Sequence, residues 1–189
     1  MKTLFQSVTL FLLMSIFLGI GYPVGMTFLA KIIAEGKSQG DLIQKNGKVI
    51  GSRLIAQKFT DNHNFWGRPS AADYDPLQSG GSNLGPTSEK LKKLVDERKK
   101  RLLEFKGEGE IPNELLFASG SGLDPHISIT AAIFQVDRIL HARDLTGEEK
   151  DKILALIESQ TIPRQFGVLG PSIVNVLELN LALQELIGH

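Results

Sequence analysis

From position 3 to position 30 this chain carries no charged side chain, and that run limits what the first sixth of the molecule can become. As a helix, about 28 residues extend roughly 42 Å, more than the roughly 30 Å of a bilayer's hydrocarbon core. The densest part reads Val8-Thr9-Leu10-Phe11-Leu12-Leu13-Met14-Ser15-Ile16-Phe17-Leu18. A helix that is apolar all round must be covered all round, and a membrane does this directly. We therefore read residues 1–31 as a retained transmembrane anchor. A cleaved secretory leader is the competing reading, with Lys2 as its positive start and Gly19-Ile20-Gly21 as a small-x-small triplet. It fits less well. Cleavage there would leave Val24, Met26, Phe28 and Leu29 exposed, and Phe28 spoils the alternative site ending at Ala30. Gly21 and Pro23 are expected to loosen or kink the helix near its end.

Residues 32–189 are enough for one domain with its own core. The chain has 21 basic and 21 acidic residues; Lys2 and Lys31 flank the anchor, so residues 32–189 hold 19 basic and 21 acidic, a net charge near −2. The one basic cluster, Lys99-Lys100-Arg101, lies among Asp96, Glu97 and Glu104 and reads as a solvated helix face. Nucleic acid is not an expected partner. With no cysteine there is no disulfide framework, thiolate metal site or thiol nucleophile. Orientation is not decided by charge. Lys31, Lys37, Lys45 and Lys48 after the anchor outnumber Lys2 before it, but long domains cross membranes largely regardless of such counts.

The elements follow from local signals. A loose segment at 35–40 precedes Asp41-Leu42-Ile43-Gln44 and a run at 48–55, which flank Lys45-Asn46-Gly47. Asn-Gly between apolar runs predicts a hairpin, because both residues take positive φ at low cost. Residues 61–86 form a long polar loop. Thr87 is expected to cap a helix running to about Phe105, with Leu91, Leu94, Val95 and Leu102 inward and Gly107 ending it. A short helical turn is expected at 112–116. Ser128 should cap a second helix carrying Ala132, Ile133, Val136, Ile139 and Leu140 at helical spacing. Thr146 and Glu149 form a capping box for a third, with Ile153, Leu156 and Ile157 inward. At the end, Leu177, Leu179, Leu181 and Leu183 alternate as in a strand, while Asn175 and Glu178 read as a cap; we favour helix. The fold class is a mixed α/β (α+β) domain, 32–189, tethered by one N-terminal transmembrane helix.

Three constellations could carry chemistry. Gly80-Gly81-Ser82-Asn83-Leu84-Gly85-Pro86-Thr87 has the glycine spacing of a phosphate loop, but Pro86 stands where the lysine is needed and no apolar strand precedes it. It reads as a glycine-rich turn, with recognition of an anion by backbone N–H groups as the alternative. Ser119, Ser121, Asp124 and His126 suggest a hydrolase triad, yet neither serine has glycine two positions before it, as a nucleophile elbow requires. A turn in which Asp124 bonds the backbone and Pro125 sets the bend is the simpler reading. The four histidines, His63, His126, His141 and His189, show no paired spacing for a metal. Trp66, the single tryptophan, sits in a polar loop beside Arg68. A lone tryptophan is usually core, but Trp with Arg is also the composition of an interface anchor.

Five blocks in one register resemble the C subunit of the Kdp potassium-transporting ATPase of bacteria and archaea. They are Gly51-Ser52-x-Leu54-Ile55-Ala56-Gln57-x-Phe59; Phe65-Trp66-Gly67-Arg68-Pro69-Ser70-Ala71; the 79–87 stretch; Ala118-Ser119-Gly120-Ser121-Gly122-Leu123-Asp124-Pro125-His126-Ile127-Ser128; and Asn175-Val176-Leu177-x-Leu179-Asn180-Leu181-Ala182-Leu183. The resemblance implies a prokaryotic plasma-membrane pump importing potassium. Its A subunit is channel-like, its B subunit is the P-type ATPase, and a very small fourth subunit accompanies them. The C subunit would be non-catalytic and needed for assembly and activity, with no cofactor of its own; ATP would be used by the complex. Asp151-Lys152-Ile153 does not supply the Asp-Lys-Thr-Gly signature of P-type pumps. The family carries two pictures of this subunit. In one, a glutamine matching Gln135 touches ATP, which would make the chain a cytoplasm-facing ATP-binding regulator. In the other, the domain lies outside the cell over the channel-like subunit, and we favour this one. The residues expected to shape or contact that interface are Trp66, Arg68, Ser79, Gly80, Gly81, Ser82, Asn83, Gly85, Asp124 and His126. No catalytic or metal-binding residue is expected.

Overall fold

A computed structural model describes residues 1–45, 47–104 and 110–188. It forms two compact units, Met1–Ile50 and Gly51–His189.

The first unit opens with one long helix, Lys2–Ile33, in which the most apolar stretch of 18 residues has a mean hydropathy of 2.0. It consists of α1 (Lys2–Ile16), a wider π-type turn (Phe17–Gly21) and α2 (Tyr22–Ile33). The widening falls where a loosened helix is expected. Pro23 cannot donate to the carbonyl four residues back and its ring crowds that carbonyl; Tyr22 N–H correspondingly reaches Phe17 O, five residues back. Further on, Thr27 Oγ1 donates to Pro23 O at 2.8 Å. None of the helix's residues is buried. With 32 residues it would extend about 48 Å, and only lipid or other helices can cover so much apolar surface. The expected hairpin follows: β1 (Leu42–Lys45) pairs with β2 (Lys48–Ser52), Gly47 holding φ +73°. Asn46 lies outside the described residues.

The second unit contains α3 (Glu89–Leu103), α4 (Asn113–Leu116), β3 (His126–Ser128), α5 (Ile129–Phe134), α6 (Val136–Ala142), α7 (Gly147–Ser159), β4 (Thr161–Ile162), β5 (Ile173–Asn175) and α8 (Val176–Ile187). The three strands form an antiparallel sheet in the order β3-β5-β4. Ile127 faces Val174 and Thr161 faces Val174 from the other edge. Ile127, Val174, Ile139, Ile153, Ile157, Leu179 and Leu183 make the centre of the core.

The caps explain most boundaries. Ser128 Oγ accepts from Ala131 N–H, the Thr146–Glu149 capping box is formed, and Asn175 Oδ1 accepts from the N–H groups of Leu177 and Glu178. The 176–187 segment is thereby helix. Two expectations change. Ser88, not Thr87, caps α3, its Oγ accepting from Leu91 N–H; the helix closes at Leu103, and Phe105 and Gly107 lie outside the described residues. The helix after Ser128 is also not continuous. It breaks at Gln135, where the backbone N–H bonds Ala132 O instead of Ala131 O, while the Gln135 side chain takes Ala131 O. This tighter step puts Phe134 in the core and leaves Ile133 exposed.

Candidate functional site

Residues 53–88 contain no helix or strand, yet Phe65 and Trp66 lie in the core. A loop inside a core must find partners for its peptide groups, and here side-chain amides provide them. Asn180, from α8, accepts from Phe65 N–H at 2.7 Å and donates to Phe65 O at 3.0 Å. Gln135 does the same for the next residue, accepting from Trp66 N–H at 2.7 Å and donating to Trp66 O at 3.1 Å. Each amide imitates a neighbouring strand. Arg138 completes the clamp by donating to Asn62 O, Asn64 O and Gln135 Oε1.

Trp66 is sandwiched by two guanidinium groups. Arg101 and Arg138 each lie 3.8 Å from the ring centroid, and Nε1–H donates to Asp61 O at 2.8 Å. Burial, and then the nearby Arg101 charge, pull the Arg138 guanidinium down to about 9, which still leaves it protonated at neutral pH. Beside the stack opens an apolar cavity of about 240 Å³ that includes Tyr74, Arg98 and Leu115. Burial raises the Tyr74 phenol above its ordinary value; its hydroxyl donates to Arg68 O.

A second cluster joins the remaining blocks. Arg68 Nη1 meets Asp124 Oδ2 at 3.0 Å, and Asp124 Oδ1 accepts from His126 N–H at 3.0 Å, the turn expected around Pro125. The His126 ring and backbone N–H, with the Arg68 guanidinium, hold the Asp124 carboxyl below its usual range against partial burial. The two glycine-rich loops lie against each other. Gly80 N–H donates to Ser121 O at 2.7 Å, Ser79 Oγ donates to the same oxygen at 3.2 Å, and Ser119 N–H donates to Pro69 O at 3.1 Å.

The approach depends on glycine. A Cβ at Gly122 would stand 2.8 Å from Gly80 O, and its φ is +70°. Gly122→Ala should therefore lower stability by roughly 1–3 kcal/mol, read as a drop in thermal midpoint of the full chain. Gly80→Ala, with open space around its Cβ, should change stability by less than about 0.5 kcal/mol.

The structure thus divides the expected interface residues. Trp66 is buried; Arg68, Gly80, Gly81, Asp124 and His126 are half-buried; Ser79, Ser82, Asn83 and Gly85 are exposed. The phosphate-loop geometry does not form. Gly80 N–H is engaged by Ser121, and α3 begins at Glu89, past Gly85. Of the residues that suggested a triad, Asp124 lies between Arg68 and the His126 ring, and Ser121 Oγ accepts from Leu123 N–H. Gln135, 1% exposed, uses both lone-pair directions and both N–H groups internally, the last on Ala131 O, and so has no capacity left for a ligand. Arg138 and Asn180 were not among the expected site residues. The signal for them was an Arg and an Asn on helix faces otherwise filled by Val136, Ile139, Leu179 and Leu183.

A family model described as the K+-transporting ATPase, c chain, matches residues 4–185. The chain belongs to that family. Among its relatives is the potassium-transporting ATPase KdpC subunit of Geotalea uraniireducens (strain Rf4), 44% identical and covering 98% of this chain and 99% of the relative. The subunit of the same name from Paraburkholderia xenovorans (strain LB400) is 41% identical over 98% of both chains, and that of Methylobacterium nodulans is 45% identical over 90% of both. The match extends from the apolar helix through the amide clamp to α8.

Proposed function

We propose that this chain is the non-catalytic accessory subunit of an ATP-driven potassium importer, needed for assembly and activity of the pump. The carrying observation is the family match over residues 4–185, which takes in membrane helix and domain together. The site's chemistry supports the same reading. Its Gln135 amide, its Asp124 carboxylate and its glycine-loop N–H donor at position 80 are engaged within the fold, as suits a rigid docking body rather than a reaction centre. The companions are the channel-like A subunit, the P-type ATPase B subunit and the small fourth subunit, and ATP is used by the B subunit. The helix packs among their membrane segments and lipid. The domain sits on the extracytoplasmic side, where Ser79, Ser82, Asn83 and Gly85 meet a companion and the Arg68–Asp124–His126 cluster shapes their loops. Trp66 supports this face from beneath.

Since the chain has no cysteine, one can be placed at Lys93, whose side chain is 80% exposed. In intact cells a membrane-impermeant maleimide should label Lys93→Cys fully. Labelling only after lysis would place the domain in the cytoplasm and revive the ATP-binding regulator. Affinity purification of the tagged full chain should bring the ATPase with it; a chain recovered alone would remove the subunit assignment.

A further inference from the structure

The cavity beside the Trp66 stack gathers cations without acids. Of the described residues lining it, Lys58, Arg98 and Arg101 are cationic and none is acidic. Lys58 is held by Asp73 at 2.7 Å. Arg98 donates to Leu116 O and Arg101 to Thr60 O, one N–H each of the five that a guanidinium carries. Neither arginine is paired with a carboxylate among the described residues. On the other face of Trp66, Arg138 adds a third guanidinium. Burial first, and then the Arg101 charge, lower Arg138, so the stack holds a like-charge repulsion that an anion would relieve. The helix behind this wall adds to the effect. Within α3 seven residues are basic and three acidic, although residues 32–189 together carry a net charge near −2. Positive potential is therefore concentrated on this side of the cavity.

Much of the remaining wall is apolar, with Phe59, Pro69, Leu102 and Leu115. A bare inorganic anion would lose water against such a wall without gaining partners there. An anion with an apolar body fills it. Size narrows the class further. A dry apolar cavity of roughly 150 Å³ holds benzene, so about 240 Å³ takes one ring and a carboxylate. It falls short of the roughly 300 Å³ at which sites for drug-sized ligands begin. The planar fork of an arginine matches the two oxygens of a carboxylate.

We propose that this cavity binds a small organic carboxylate whose body is a single apolar ring. Arg98 and Arg101 hold the carboxylate, and the ring lies against Phe59, Leu102 and Leu115. Binding needs none of the pump's other subunits, so it is independent of the subunit reading.

Trp66, the chain's single tryptophan, lines the cavity and responds to its filling. The full chain in phosphatidylcholine nanodiscs is titrated with benzoate while tryptophan emission and thermal midpoint are followed. Emission should change saturably with a Kd of roughly 0.1–1 mM, the scale for about nine non-hydrogen atoms, and the midpoint should rise. Benzamide, which keeps the shape without the charge, should bind at least roughly tenfold more weakly. Inorganic phosphate, which keeps the charge without the ring, should do the same. Arg98→Gln should weaken benzoate roughly tenfold or more. If that variant does not fold, the comparison of benzoate with benzamide on the wild-type chain still decides. Emission that changes only linearly up to about 10 mM benzoate overturns the proposal. So does benzamide or phosphate binding as tightly as benzoate, or a folded Arg98→Gln chain that binds benzoate unchanged. ATP that displaces benzoate and binds more tightly would make the cavity a nucleotide site and overturn it as well.

Discussion

Replacing Trp66 by alanine is expected to lower the stability of the fold by about 3–5 kcal/mol, the usual range for deleting a buried large aromatic. The indole is 7% exposed, so its removal opens a cavity that the clamped backbone on either side cannot collapse into. It also unstacks Arg101 and Arg138, each 3.8 Å from the ring, at about 0.5–2 kcal/mol per cation–π contact within that total. Arg138 then loses this aromatic neighbour while still donating to Asn62 O and Asn64 O. For a chain of this size a loss of 3–5 kcal/mol corresponds to roughly 6–20 °C in thermal midpoint, measurable by far-ultraviolet circular dichroism on the full chain in detergent. Trp66→Phe separates the parts. It keeps an aromatic face between the guanidiniums and loses the Nε1–H bond to Asp61 O, and should cost only about 1 kcal/mol. A Trp66→Ala midpoint within 2 °C of wild type would contradict the core role assigned here.

Gln135→Leu should cost about as much, roughly 3–5 kcal/mol, although the side-chain volume hardly changes. The substitution leaves Trp66 N–H and O, Ala131 O and one Arg138 N–H without their partner in the interior. Each buried polar group stranded in this way costs about 1–3 kcal/mol, and more for a charged one; relaxation of the 62–66 loop recovers part of the sum. The emission of Trp66, the chain's single tryptophan, should shift as its clamp is lost, and melting should show the drop with or without nucleotide. If instead the midpoint were unchanged and only a response to ATP disappeared, Gln135 would be a ligand-facing residue and the clamp would be energetically idle.

These two residues show where reading the chain in order succeeds and fails. The hairpin was legible from Asn46-Gly47 between two apolar runs, α7 from Thr146 and Glu149, and α8 from Asn175 and Glu178, because each signal acts within four residues of itself. Phase errors were small where caps competed, as between Thr87 and Ser88. The helix break at Gln135 was not legible: it arises because a side-chain amide displaces a backbone donor at Ala131 O while gripping Trp66, 69 positions away. The β3-β5-β4 sheet was missed for a related reason, since strands of three, two and three residues are too short to carry an alternating pattern.

The candidate site divides along the same line. Residues 65–70, 79–87, 118–128 and 175–183 stood out in the sequence by composition and resemblance. That they meet, with Arg68 on Asp124, Gly80 on Ser121 and Phe65 on Asn180, came only from the fold. So did the difference between Trp66 inside and Ser82 or Asn83 outside.

Composition and local order alone determined the apolar leading helix, the caps and the mixed character of the domain, because hydrophobic runs and first-turn hydrogen bonds involve neighbours along the chain. The tertiary structure decided which polar side chains became internal partners of the 62–66 loop, because those partners lie 69 to 115 residues away. No local pattern records whether a distant amide will be close enough to replace water.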